Sequence, residues 1–203
     1  LAVIWLMMLF VSVARRVPAA RKRDLRPELA LVLVGVAAGL IQIACVYRAQ
    51  TAIGSPSQAI GTALGALLSG SALGLAWWHR VPMSLATPRR ALLLATVSTG
   101  LMWLTSPYWA AALQLLDTEF ALVAMAAIFA AHGLPMAPPF LALLTVQVRT
   151  SQTGEANAVA LDSAGMVLGA SAASWLAQQA GYSGLLLIAT IMLFGTLLML
   201  WRR

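Results

Sequence analysis

The chain consists of apolar runs, most of them about twenty residues long, separated by short polar or basic loops. A helix needs about 20 apolar residues to cross the hydrocarbon core of a bilayer. Six runs meet this length or come close to it, and we expect each of them to form a complete membrane-spanning helix. They cover residues 29–53, 57–78, 91–105, 120–146, 156–176 and 184–201.

The composition agrees with a membrane location. Of the 203 residues, 61% are hydrophobic and 9% are charged, whereas soluble domains carry roughly 25% charged residues. The net charge of +7 does not indicate a nucleic-acid partner, because the basic residues lie in short clusters between apolar runs and form no single patch. We therefore expect an all-α, multi-pass integral membrane protein that has the lipid bilayer as its partner.

The first 28 residues are expected to stand apart from the six runs. Residues 1–14 are apolar but too short to span, and Arg15 and Arg16 follow them. In a signal peptide the positive charge comes before the apolar run. We expect residues 1–14 to be the end of a truncated transmembrane helix, 15–28 a basic cytoplasmic loop, and 29–203 a six-helix bundle belonging to a larger protein.

Basic residues mark one side of the predicted topology. Twelve of the thirteen Lys and Arg lie before the first span, in the loop at 80–90, at Arg149 or in the C-terminal tail. Since cytoplasmic loops carry an excess of Lys and Arg, we place these loops and the C-terminus in the cytoplasm, with the chain in the inner or plasma membrane of a bacterium. The turn at Gly54, the acidic loop with Asp117 and Glu119, and the turn at 178–184 fall on the opposite side.

The fourth run contains a cluster of helix breakers. Gly133, Pro135, Pro138 and Pro139 lie close to His132 in an otherwise apolar segment. Proline removes a backbone donor from a helix, and irregular backbone at membrane depth is tolerated where it is buried in protein or lines a cavity. We predict a helix break at a cavity here.

Pairs of glycines recur four residues apart within the runs. Small residues at this spacing let two membrane helices approach closely. We predict that all of these pairs serve helix packing in one compact bundle. The pairs are Gly35 and Gly39, Gly61 and Gly65, Gly70 and Gly74, and Gly165 and Gly169.

Two polar residues of the first span are candidates for a substrate or proton pathway. Arg48 is the one basic residue away from the cytoplasmic side. It either extends to the outer interface or pairs in a cavity with Asp117 or Glu119, which lie at the same predicted level. Gln42 lies in the middle of the span and either faces a pore or makes an interhelical hydrogen bond.

His132 and Asp162 are the two ionisable candidates away from the interfaces. Such groups are costly within a membrane and usually face a cavity or a partner. His132 is either a neutral, hydrogen-bonded imidazole or a protonatable residue of a cavity. Asp162 either accepts hydrogen bonds near the positive end of its helix or takes part in coupling. We favour Asp162 as the proton carrier and His132 as a cavity-lining residue, and we expect them not to be direct partners.

No arrangement of residues indicates an enzyme. Ser151 and Ser163 have no His and acid at a recognisable spacing, and no glycine-rich phosphate loop is followed by Lys. Cys45 is the only cysteine, which excludes an intrachain disulfide, and the chain has no metal-ligand spacing. We expect neither enzymatic activity nor a cofactor nor a metal.

Three segments resemble the second half of a major facilitator superfamily transporter, most closely the fourteen-helix drug/proton antiporters. They are SPSQAIGTALGALLSGSALG at 55–74, GLPMAPPFLALL at 133–144, and the run 154–169, which opens with GEANAVAL. The resemblance covers nearly the whole chain in order. It departs from the family in the basic loop after residue 74, where an acidic residue and a glycine are usual and this chain has Trp77, Trp78, His79 and Pro82.

The resemblance implies one bundle of a two-bundle secondary transporter that works by alternating access. It implies proton-coupled export of drugs or other small molecules, with a missing N-terminal half, a small-molecule substrate and protons as partners. Two alternatives remain open. One is an exporter of metabolites or siderophores with the same fold, and the other is a non-transporting scaffold or degenerate membrane protein.

Overall fold

The computed structural model describes residues 26–81, 87–150 and 154–201, and all regular structure within these ranges is helical. The predicted all-α class is therefore confirmed for this part of the chain. The predicted truncated helix and the predicted basic loop as far as residue 25 lie outside the described residues. The helices are α1 Arg26–Ile53, α2 Pro56–Trp78, α3 Pro88–Leu113, α4 Thr118–Gly133, α5 Ala137–Thr150 and α6 Gly154–Trp201.

Four helical segments of the described ranges are long and apolar enough to cross a membrane. They are Arg26–Ile53, Ser57–Trp78, Thr118–Val148 and Glu155–Trp201. Helix α3 is not among them, because Thr, Ser, Pro and Tyr residues interrupt its apolar sequence. The six complete spans expected from the sequence are thus shown only in part, and the last two expected spans both lie within α6.

Helices α1 and α2 are joined by the tight turn that the sequence predicts. Gly54 has a φ of 77°, a conformation that glycine adopts without steric cost, and its N–H donates to the carbonyl of Gln50 at 2.9 Å. Pro56 then opens α2, in the first turn where a missing N–H is harmless. At its other end α1 begins at Arg26, inside the region expected to be a loop.

Helix α3 extends eight residues beyond its predicted end at 105 and passes through Pro107. A proline inside a helix leaves the carbonyl four residues earlier without its usual donor. That carbonyl belongs to Trp103, and the hydroxyl of Ser106 donates to it at 3.0 Å. The neighbouring serine thus replaces the lost hydrogen bond, which explains why the helix continues past 105.

Helix α6 reverses direction at Gly181, which has φ 70° and ψ 171°. Immediately after it, the ring of Tyr182 stacks on Tyr47 near the end of α1, with centroids 4.3 Å apart. Near the other end of this arm, Leu200 lines the same cavity as Pro27 at the start of α1. The second arm, residues 182–201, therefore runs antiparallel to α1, and the predicted turn at 178–184 is a kink at one glycine.

The first arm of α6, residues 154–180, packs against α1 through glycines. A Cβ atom added at Gly35 would collide with the backbone oxygen of Asp162, and one added at Gly165 would collide with that of Val32. Gly39 and Gly169 belong to the same α1–α6 glycine contact, against the backbones of Met166 and Val36. Along this contact the residue numbers of both helices increase in the same direction, so the first arm runs parallel to α1.

Helices α2 and α4 form a second glycine contact. Added Cβ atoms at Gly70, Gly74 and Gly133 would collide with backbone oxygens of Ala130, Leu134 and Leu67, respectively. The prediction for Gly61 and Gly65 is wrong within the described bundle. Nothing lies within 4 Å of a Cβ added at either position, because these two glycines lie on the exposed side of α2.

The core lies around α1, which contacts every other helix of the described ranges. Its largest fully buried side chains come from α1, α3, α4, α5 and α6, and include Leu40, Phe129 and Leu193. Large apolar side chains also point outward, among them Val123 at 70% and Val167 at 66% exposure. Apolar residues on both the inside and the outside of a bundle are typical of helices surrounded by lipid.

Candidate functional site: a broken helix

The break in the fourth apolar run lies at residues 134–136, between the end of α4 and the start of α5. Two backbone bonds close the turn: Leu134 N–H donates to the carbonyl of Ala130 at 3.2 Å, and Met136 N–H donates to that of Gly133 at 3.0 Å. Pro135 occupies the turn itself. Pro138 and Pro139 instead lie in the first turn of α5, where proline is tolerated, and both are buried.

Polar side chains of α2 and α3 contact the residues around the break. The hydroxyl of Ser71 donates to the carbonyl of Gly133 at 3.3 Å, and the hydroxyl of Thr99 lies 3.6 Å from the sulfur of Met136. The carbonyl of Gly133 thus accepts from both Met136 and Ser71, so the backbone at the break is hydrogen-bonded within the protein, as a chain in lipid requires. The break is packed against neighbouring helices, and the cavity described below lies elsewhere.

His132 lies one residue before the end of α4 and is only 4% exposed. Its Nδ1 lies 3.0 Å from the hydroxyl oxygen of Ser98 on α3. Its other ring nitrogen, Nε2, is buried and has no hydrogen-bond partner among the described residues. An unpaired buried polar group costs about 1–3 kcal/mol, so the site contains an unused hydrogen-bonding group that a ligand or a proton could engage.

Trp109 is a second buried group of this kind, and it was not predicted as a site residue. Its indole Nε1 has no partner within the described ranges, and its ring meets that of Phe129 edge to face at 5.9 Å. Phe129 precedes His132 by one helical turn. Helices α3 and α4 thus each contain a buried side-chain nitrogen without a described hydrogen-bond partner.

Asp162 is half-buried on the first arm of α6. Its backbone oxygen packs against Gly35, whereas its carboxylate makes no hydrogen bond or ion pair with any residue that the structure describes. The imidazole of His132 bonds to Ser98 instead. The two ionisable candidates therefore belong to different contacts, α1–α6 and α3–α4.

Of the two alternatives for Arg48, the pairing with Asp117 or Glu119 is not present in the described structure, and extension to the outer interface stays a prediction. Asp117 and Glu119 are exposed at the start of α4, and neither makes an ion pair with Arg48, whose Nε is buried without a described partner. At this end of α1, the neighbouring Tyr47 stacks on Tyr182 of α6.

The interhelical hydrogen bond considered for Gln42 is not present among the described residues, and the pore-facing alternative stays a prediction. It is half-buried, and its side chain makes no hydrogen bond with another described residue. The interhelical bond that the sequence did not reveal involves Gln147, which is 3% exposed and donates from Nε2 to Oε1 of Glu28 at 3.1 Å. The only available signal was a glutamine in an apolar run and a glutamate directly after Pro27.

No three His, Cys, Asp or Glu side chains of the described ranges are grouped as a metal site would require. A comparison of the chain with protein-family models, with curated proteins and with solved structures gave no match in any of the three. What the site does must be judged from its own residues.

Proposed function

We propose that the chain is one helical bundle of a secondary active membrane transporter, similar to the second half of a major facilitator superfamily protein. We further propose that it takes part in proton-coupled export of drugs or other small molecules. The observation that carries the proposal is the helix break at residues 134–136, with the unused Nε2 of His132 beside it. Secondary transporters commonly build their substrate sites from discontinuous helices near the middle of the membrane.

The course of the chain supports this architecture. Helices α4 and α5 together make one pass along the bundle, and the two arms of α6 make two. If α1, α2 and α3 each make one pass as well, the chain makes the six passes that we propose for a half-transporter. Arg80, Arg89 and Arg90 lie at the end of the bundle that also contains Trp201, and because of the positive-inside bias we propose that this end faces the cytoplasm of a bacterial cell.

The exposed side of α2 supports the presence of a second bundle. Gln58, Gly61, Gly65 and Ser69 follow one another at helical spacing, and all four are exposed. Small and polar residues on a membrane helix are typical of contacts with protein rather than with lipid. We assign this face to the boundary with the missing half, where alternating access would open and close the substrate path.

Asp162 and His132 receive separate roles in this proposal. Proton coupling needs a group that binds and releases a proton within the membrane, and the carboxylate of Asp162 has no described partner that would hold it in one charge state. The imidazole of His132 is held at one nitrogen by Ser98, which leaves the other to hydrogen-bond cargo. Asp162 is thus the proton carrier and His132 a cargo-binding residue.

Reconstitution of the full-length protein tests the proposal. Proteoliposomes would be loaded with a pH-sensitive dye and given an outward gradient of a transported probe, first the cation ethidium and then neutral and anionic compounds. Saturable probe flux should move protons in the opposite direction. The 203 residues alone should insert without transporting. Absence of probe flux and of proton movement across the whole series, with insertion verified by protease protection, would rule out the transporter.

A further inference from the structure

A cavity of about 580 Å³ opens at the end of the bundle where α1 and α3 begin and α6 ends. Its walls come from the first turns of α1 and α3, the second half of α5 and the last turn of α6. The volume lies within the range of about 300–1,000 Å³ that is usual for small-ligand sites. None of the residues around the helix break lines it.

One wall of the cavity carries positive charge. Arg89 and Arg90 both line it, and neither Asp nor Glu is among its described lining residues. The nearest acid in sequence is Glu28, next to the lining residue Pro27, and its Oε1 accepts a hydrogen bond from Gln147. The two arginines among its lining residues make the cavity suited to an anion.

The guanidinium of Arg89 is held in place by α6. Its Nε donates to the carbonyl of Leu200 at 3.1 Å, and its central carbon lies 5.9 Å from the ring centroid of Trp201, within the usual reach of a cation–π contact. These contacts leave both terminal amino groups of Arg89 without a described partner. Such a pair of parallel donors matches two oxygens of a phosphate group.

The cavity is also lined by apolar side chains. Its apolar lining residues include Leu93 one turn after Arg89, and Leu143 and Val146 of α5. An inorganic anion would gain nothing from these side chains, whereas a lipid could bury its glycerol and upper acyl chains against them. Basic pockets between membrane helices are suited to anionic headgroups. We infer that this cavity binds the phosphate of an anionic phospholipid, with the guanidinium groups of Arg89 and Arg90 on the headgroup.

Lipid titration of the purified full-length protein, followed by native mass spectrometry, tests this site. Dioleoylphosphatidylglycerol should bind more tightly than dioleoylphosphatidylcholine. Arg90→Gln should weaken binding of the anionic lipid about fivefold, since one arginine near an anionic membrane contributes about 1 kcal/mol. The side chain of Arg90 is exposed, so the variant should fold. Arg80→Gln, an exposed arginine at the same end but outside the cavity, should bind as the wild type does.

Two further experiments distinguish a bound phospholipid from other ligands that carry a phosphate group. Leu93→Trp should fill part of the cavity and reduce lipid binding with no change in charge. Inorganic phosphate and glycerol 3-phosphate should displace the lipid only weakly. Equal affinity for the two lipids, an equal loss in Arg80→Gln and Arg90→Gln, or displacement by inorganic phosphate at the affinity of the lipid would each overturn the assignment.

Discussion

The hydroxyl oxygen of Ser98 lies 3.0 Å from Nδ1 of His132 and joins the middle of α3 to the end of α4. When Ser98 donates to this nitrogen, the ring hydrogen is on Nε2, which then offers a donor to a ligand. The contact therefore selects which face of the imidazole is available beside the helix break.

We expect His132→Gln to raise the apparent KM for cargo about three- to tenfold with little change in the maximal rate, since one hydrogen bond contributes about 0.5–1.5 kcal/mol. Ser98→Ala should shift KM in the same direction, because it releases the ring from its orientation. Initial rates in proteoliposomes give both parameters. Ser163→Ala, which removes an exposed hydroxyl from α6, serves as the control, and an equal shift in this variant would contradict the role of Ser98.

Asp162→Asn should abolish proton-driven transport while leaving cargo binding or downhill exchange intact, because the amide cannot exchange a proton. Flux driven by an imposed pH gradient, compared with exchange in its absence, measures the two activities separately. Glu155→Gln removes an exposed carboxylate from the first turn of the same helix and should leave both activities unchanged. If Asp162→Asn pumps normally with an unaltered pH profile, Asp162 is structural and the coupling residue lies in the missing half.

Gly165→Ala should destabilise the bundle by about 1–3 kcal/mol, the usual cost of overpacking, because its Cβ would collide with the backbone of Val32. In the 203-residue chain by itself, Gly61→Ala makes the same chemical change in open space and should alter stability by no more than about 1 kcal/mol. Thermal unfolding of this detergent-solubilised 203-residue chain compares the two variants. Equal melting temperatures would show that the α1–α6 glycine contact is looser than described.

The orientation in the membrane can be tested by single-cysteine labelling in a Cys45→Ala background. Asp117 and Arg80 are both exposed at opposite ends of the bundle, so a cysteine at either position is accessible to reagent on its own side. A membrane-impermeant thiol reagent added to intact cells should modify Asp117→Cys and spare Arg80→Cys. Labelling of Arg80→Cys from outside would reverse the topology, and labelling of both positions would contradict the number of passes between them.

Features that depend on a few neighbouring residues were predictable from the sequence. The turn after Ile53 follows from Gly-Ser-Pro, and the helix break follows from Gly133 and Pro135, since glycine and proline act on the backbone within one helical turn. The extension of α3 through Pro107 escaped prediction, because the decisive event is a side-chain bond from Ser106 to the carbonyl that the proline leaves unpaired.

Features that depend on the rotation of one helix against another were not predictable. Gly61 and Gly65 have the same spacing as Gly35 and Gly39. Only Gly35 and Gly39 contact the backbone of another helix. The glycine spacing indicates that a close approach is sterically allowed, but it does not indicate which face of the helix points into the bundle. For the same reason the sequence identified His132 but not its partner, since Ser98 comes from a helix 34 positions away.

The two glycine contacts also determine where this bundle can bend. They fasten α1 to the first arm of α6 and α2 to α4 with no side chain between the backbones, so neither pair contains rotamers that could rearrange and let its helices roll over each other. We therefore expect the two helices of each pair to move as one rigid unit. Helix α5 lies outside both pairs. It is attached to α4 through three non-helical residues and to α1 through the hydrogen bond from Gln147 to Glu28, and these side-chain contacts can rearrange while both glycine pairs stay closed.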